Sequence, residues 1–241
     1  SSRRRHTRCS RDWSSDVCSS DLLRKIFKHN LVPEVDITTE TIDGKRYYVL
    51  PSGEKFRSVT TVLDAALDKT ALMEWKKRVG HEEAQKITTQ AARRGTAVHS
   101  IAERYVLNEE NYLRGAMPSG IDAFKGIQSL LDKHVDNILG IELPLYSTVL
   151  KTAGRCDLIA EFNGIPSVID FKTSRRLKEE SWIESYFLQT TCYSMMFEWI
   201  YKIKIPQIAI LIAVDHEEPQ LFVKDRGEYV NRVLEIFTQP T

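Results

Sequence analysis

GRCDLIAEFNGIPSVIDFKTS, Gly154 to Ser174, consists of two strand-like runs on either side of Asn163-Gly164. That dipeptide is favoured in a two-residue type I′ hairpin turn because both of its residues tolerate positive φ. A two-residue loop at 163 and 164 makes Phe162 face Ile165. Counting outward then sets Asp157 opposite Asp170, on a close pair without mutual backbone hydrogen bonds. Their Cβ atoms would stand about 5 Å apart. Two carboxylates at that separation repel by roughly 3 kcal/mol at an effective dielectric near 20, which calls for a compensating cation or a shared proton. Strand side chains alternate, so Lys172 shares a face with Asp170 while Ile169 and Phe171 point the other way. Asp, Asp and Lys are thereby gathered at one place. A hard cation such as Mg²⁺ or Mn²⁺ takes carboxylate and carbonyl oxygens, binds phosphate oxygens and acidifies its own water, and an adjacent ammonium can orient that water. The combination points to phosphodiester hydrolysis. A solvated hairpin would instead make Lys172 a surface partner worth ~0 to 1 kcal/mol. The apolar flanks LIA and SVI argue against that, because they belong in the middle of a sheet where unpaired charge is costly.

Outward from the hairpin, segments 35 to 42 and 45 to 50 flank Asp43-Gly44 and form a small N-terminal β-hairpin. Thr60 or Thr61 can cap a helix running through Val62, Leu63, Ala66, Leu67, Leu72, Met73 and Trp75 and ending at Gly80. A second helix spans about His81 to Leu107, with a break expected near Gly95 and an apolar face of Ala97, Val98, Ile101, Ala102, Tyr105 and Val106. A helix near 121 to 138 precedes strands at 141 to 150, 153 to 162 and 165 to 173, then a long helix from about Trp182 to Tyr201. A buried strand at 207 to 214, a strand at 219 to 224 and a helix at 225 to 237 close the chain. The class is α+β.

The 241 residues carry 34 basic and 33 acidic side chains and 42% hydrophobic residues. This is ordinary globular composition and names no partner by charge. No apolar run approaches the ~20 residues of a membrane-spanning helix. Residues 1 to 22 are Arg/Ser-rich without hydrophobic period, and Asp12 to Leu22 resembles a sequencing-library adapter read through in one frame. We expect that stretch to be foreign to the native protein, with residues 23 to 241 forming one domain. A transit peptide should lack its Asp12, Asp16 and Asp21, and a basic nucleic-acid arm is the other alternative. Less its five Arg and three Asp, 29 basic residues face 30 acidic ones, and of Cys9, Cys18, Cys156 and Cys192 only the last two stay.

These motifs together resemble the PD-(D/E)XK nuclease superfamily: G-x-x-D at Gly154 to Asp157, then D-F-K at Asp170 to Lys172. Gly95-Thr96-Ala97-Val98-His99 with Glu103 is similar to the helix motif of nucleases related to bacterial recombination helicase-nuclease subunits, and Gln189-x-x-x-Tyr193 to their later Q-x-x-x-Y motif. The likeness spans about Ser58 to Phe237. Its SVTTVL entry, DFKTS strand end and Q-x-x-x-Y helix look closest to the mitochondrial genome maintenance exonuclease 1 group and its bacteriophage homologues. Position 156 is Cys where the superfamily's name has Pro, as is common in this branch. The resemblance implies a restriction-endonuclease-like core, a central mixed sheet flanked by helices. It also implies that His99, Asp157, Asp170 and the Phe171 carbonyl bind metal, that Lys172 polarises water, and that Gln189 contacts water or the scissile phosphate. Glu103 is then a ligand through water or an acceptor for His99. Tyr193 lies one turn from Gln189 on a face that is expected to be core.

Arg93, Arg94, Thr173, Arg175, Arg176 and Lys178 bracket the proposed centre in sequence and are candidates for phosphate contacts. Trp75, Trp182 and Tyr186 are candidates for base stacking, though aromatic helix positions are more often core. No GxxxxGK[ST] loop is present, so no nucleotide cofactor is expected and any helicase or replication protein would be a separate partner. Two cysteines are too few for an iron–sulfur cluster. Reduced thiols suit an intracellular setting, the cytoplasm of a bacterium or phage-infected host, or the mitochondrial matrix if the source is eukaryotic. The expected activity is that of a monomeric, Mg²⁺- or Mn²⁺-dependent DNA exonuclease acting on single strands or frayed ends. A structure-specific endonuclease and a catalytically silent DNA-binding domain are the alternatives.

Overall fold

The structure, a computed structural model, describes residues 24–238; the adapter-like stretch lies outside them. Asp43 and Gly44 both take positive φ and turn β1 (Thr38–Ile42) onto β2 (Lys45–Val49) in antiparallel register, as the sequence predicts. A third strand, β3 (Lys55–Ser58), adds antiparallel to β2. Four residues are too few to display a period, so nothing in the sequence marks it as a strand.

The helix expected from Thr60 to Gly80 is two helices, α1 (Val59–Ala66) and α2 (Thr70–Val79). The cap of α1 is Ser58, whose hydroxyl accepts from the Thr61 N–H at 3.1 Å. Asp68 accepts from both the N–H and the hydroxyl of Thr70, at 2.9 and 2.6 Å, and so starts a new helix inside the expected one. In contrast, α3 (His81–Val106) runs unbroken through Gly95. Helix α4 (Pro118–His134) begins on a proline, where the missing N–H does no harm, and ends before β4 (Val135–Ser147). The chain continues through β5 (Thr152–Phe162), β6 (Ile165–Ser174), a short 3₁₀ turn at Glu180–Trp182, α5 (Glu184–Tyr201), β7 (Gln207–Val214), β8 (Gln220–Asp225) and α6 (Gly227–Thr238).

The architecture is α+β: the strands form one mixed sheet with helices on both faces. Helices α3 and α4 pack Val98, Ile101, Tyr105, Phe124 and Leu131 over Ile169, Phe171 and Leu211. Helices α1, α5 and α6 pack Leu63, Leu188, Met196 and Phe237 over Val168, Ile208 and Ile210. Inward-facing residues of β6 and β7 therefore alternate strictly between two layers.

A fork in this sheet positions the site. Strand β4 pairs with β5 along its whole length, from Thr152 to Phe162. The other edge of β5 is shared: β3 takes Thr152 and Ala153, and β6 takes Leu158 to Phe162. Gly154, Arg155, Cys156 and Asp157 lie in the gap. Tyr193 of α5, 4% exposed, fills it. A methyl built on Gly154 would stand 2.6 Å from the Tyr193 hydroxyl and 2.7 Å from its ring. Gly154 and Tyr193, from two separate sequence motifs, are thus two sides of one contact. Gly154→Ala is expected to destabilise the protein by about 1 to 3 kcal/mol through overpacking, and Tyr193→Leu in the same chain should recover part of the loss in thermal melts. An unshifted melting temperature for Gly154→Ala would show that the contact is not structural.

Candidate active site

Asn163 and Gly164 adopt φ of 54° and 78°, the turn that the dipeptide predicts, and the register runs from Phe162↔Ile165 out to Leu158↔Ile169. There the ladder stops, one pair short of Asp157 and Asp170. Asp157 Oδ2 accepts the Phe171 N–H at 2.9 Å, so a carboxylate side chain takes the place of the next backbone acceptor and the strands part. Two facing carboxylates cannot close as a tight pair, and this arrangement moves Asp157 aside while satisfying the freed donor.

On the other side of Asp157 stands Glu142, bracketed by the pairs Ile141↔Leu158 and Leu143↔Cys156. Glu142 has φ +46°, a left-handed conformation in mid-strand. Leu143 and Cys156 belong to the layer under α5, whereas Ile141 and Leu158 belong to the layer under α3 and α4. Both strands therefore reverse their alternation at the Glu142/Asp157 pair. A non-glycine residue held this way costs about 1 kcal/mol or more, and the result is convergence. Ligand atoms of His99, Glu142 and Asp157 all lie within 4.8 Å of one another, a group that could hold a metal ion. Glu142 is not among the residues that the sequence singles out. In I-E-L-P-L it has the pattern of a strand residue facing solvent, and no composition signal reports a positive φ.

His99 reaches the gap where β5 and β6 part because Val98, Ile101 and Ala102 seat its helix on the layer of Ile169 and Phe171. Its Nε2 is 2.7 Å from the Phe171 carbonyl and its Nδ1 is 3.5 Å from Asp157 Oδ2. Both neighbours are acceptors, so the ring is satisfied only with a proton on each nitrogen. Burial opposes that charge, but Asp157, with Asp170 behind it, lifts His99 to about 9. The imidazolium in turn helps to hold Asp157 below the usual carboxylate range, against its burial. Burial and the charge of Asp157 push Glu142 up to about 7. Neither ring nitrogen is turned to Glu103, which acts instead on Glu142 by raising it further.

Asp170 faces α5. Its carboxylate is ion-paired with Lys172 and accepts from Gln189 Nε2 at 3.1 Å. Lys172 lies 5.0 Å over the Tyr186 ring. Burial and the charge of Asp157 push Asp170 up to about 6 in spite of Lys172. Burial would lower Lys172, but the two aspartates raise it, so it carries its proton at neutral pH. The fold thus brings together His99, Asp157, Asp170, the Phe171 carbonyl, Lys172 and Gln189. Cys156 and Cys192 are buried thiols in the α5-side core.

The basic candidates are dispersed around this centre. Arg93 is exposed on α3, while Arg94 is half-buried and ion-paired with Asp215. Arg175 donates to Gln90 at 2.8 Å, and Arg176 is exposed. Lys178 binds the Gln220 side chain through its own backbone. Thr173 lies beside Gly95, whose added methyl would stand 4.0 Å from the Thr173 hydroxyl. Trp182 is 68% exposed, whereas Tyr186 and Trp75 are half-buried.

No protein-family model matches the chain, and no curated protein matches its sequence. Among solved structures it is similar to a crystal structure of a putative exonuclease from Eubacterium rectale, with a TM-score of 0.43 and 11% identity. The match covers 60% of this chain and 64% of that one, less than two thirds of its length. No helix among the described residues is long and apolar enough to cross a membrane.

Proposed function

We propose that the chain is a metal-dependent deoxyribonuclease of the PD-(D/E)XK type, an exonuclease acting on single strands or frayed ends. One observation carries this: the fork between β5 and β6 gathers His99, Glu142 and Asp157 beside the buried Asp170, which is ion-paired with Lys172. The donor set fits a divalent cation. Carboxylates and a carbonyl suit Mg²⁺ and Mn²⁺, and the added imidazole suits Mn²⁺. His99, Glu142, Asp157, Asp170 and the Phe171 carbonyl would hold it. When bound, such an ion activates water and stabilises charge on a phosphoryl oxygen.

The chain's own residues do the rest. Lys172 stays protonated, so it donates to the attacking water or to the developing negative charge and is not a general base. Gln189 orients Asp170 by donating to its Oδ1. Arg93, Thr173, Arg175, Arg176 and Lys178 would contact phosphates, which makes binding weaken steeply with salt. Arg94, tied to Asp215, would contribute less.

The test is digestion of 5′-labelled and 3′-labelled single strands beside a covalently closed single-stranded circle, with Mg²⁺, with Mn²⁺ and with chelator. Shortening from one end, dependent on metal, with intact circles is the expected result. Cut circles would indicate an endonuclease, and salt-sensitive binding without turnover a silent DNA-binding domain.

A further inference from the structure

Helix α2 and the first half of α3 enclose a groove of about 1130 Å³. Lys76 and Lys77 line it from α2, and His81 and Arg93 from α3, with Ala84 and Thr88 between them. No carboxylate lines it, and among the described residues no acid pairs with Lys76, Lys77 or Arg93. Lys76, Lys77, His81 and Arg93 are exposed while Ala84 is buried, so the three cations Lys76, Lys77 and Arg93 stand above a small apolar floor. The Thr88 hydroxyl is engaged with the Ala84 carbonyl at 2.8 Å, which adds to the apolar character of that floor.

We propose that this groove is a track for single-stranded nucleic acid that delivers the strand to the acidic centre. A duplex offers such a surface little beyond phosphates. A single strand also offers unstacked base faces, which an apolar floor between cations can accept. The groove runs along α3 toward the site. It reaches Thr96, and His99 follows three residues later on the same helix, about 4.5 Å along the axis. Arg93 also lines a neighbouring hollow with Arg175, so the cationic path extends around α3 toward the end of β6.

Helix α2 supplies a second, independent reason. It buries none of its ten residues, and an isolated helix of that length is marginal in water. It joins α3 through Gly80, which has φ +84° and ψ 156°, a conformation essentially restricted to glycine. A strand seated in the groove bridges α2 to α3 and gives α2 the partner that the core does not provide.

The track rests on the nuclease reading only for where the strand leads, so it is tested by binding, with the digestion described above run beside it. Anisotropy of a fluorescent oligothymidine of about 20 nucleotides, in chelator and across a salt series, compares the wild type with Lys76→Ala/Lys77→Ala. The two lysines lie on a helix without buried residues, so the fold should survive, and circular dichroism checks that it does. We expect about a tenfold loss of affinity and a salt slope shallower by about 1.4, at 0.7 per phosphate contact on a single strand. Amide exchange of residues 70 to 79 should slow when the oligonucleotide is added to the wild type. Unchanged affinity and slope, or an equal loss for a duplex of the same length, would overturn the track. Metal-dependent cleavage together with unchanged binding by the double variant would sink the track alone. Binding without cleavage would sink the nuclease and leave the track standing.

Discussion

Lys172→Met is expected to lower the rate of single-strand hydrolysis by about 10³, within the range of positioned proton-donating groups, while the chain stays folded. The ammonium sits beside Asp170, whose side chain is 3% exposed, and over the Tyr186 ring, which together fix where its charge and its N–H donors stand. Methionine keeps most of the side chain's volume and removes the charge together with its N–H donors. Asp170, already pushed up to about 6, then loses the neighbour that holds it down and rises further. Part of the loss should therefore return as pH is raised and Asp170 ionises, whereas the part owed to the missing donor should not. Single-turnover rates from pH 6 to 9 separate the two. A variant retaining a tenth of the wild-type rate at every pH would remove Lys172 from the chemistry.

Asp157→Asn should weaken Mn²⁺ binding by 100-fold or more, since even groups that only orient metal ligands are worth 10- to 100-fold, and should drop the titration of His99 by about two pH units. Asparagine still offers an oxygen to the Phe171 N–H, so the end of the ladder is preserved. What disappears is the charge. Burial, which disfavours the imidazolium, is then opposed mainly by Asp170, and His99 falls from about 9 toward the 6.5 of a free imidazole. The sign follows for stability. A histidine raised in the folded state contributes stability that is full below pH 6.5 and is lost as pH rises through about 9. The melting-temperature gap between wild type and variant should therefore narrow over that interval. Metal affinity of the wild type should rise across it, because the ion must displace the His99 proton. Titration of the imidazole by NMR and calorimetry in buffers of different protonation enthalpy measure both. A His99 that still titrates near 9 in the variant would refute the pairing.

Much of this centre is legible in the chain because its parts are local. Asn163-Gly164 sets the turn, the turn sets the register, and alternation places Asp170 and Lys172 on one face. Helical spacing does the same for His99 and for Gln189 with Tyr193. The division between α1 and α2 was also local, but it depended on one side chain, Asp68, in competition with an apolar period that runs across it.

Other features depend on residues far apart in sequence. Whether Asp157 meets Asp170 or turns to the Phe171 N–H is decided by where β6 leaves β5. Gly154 matters because Tyr193 arrives from another helix. Arg94 reads as free for phosphate until Asp215 pairs with it across the fold. Glu142 is the sharpest case, a carboxylate aimed into the site by a left-handed residue that only β5 and the two packed layers hold in place. Periodicity and turn chemistry, carried by neighbouring residues, determined the hairpin and its acids. The third carboxylate, the filled fork and the groove beside α3 were decided by tertiary packing, because a strained backbone persists only where distant contacts outweigh its local cost.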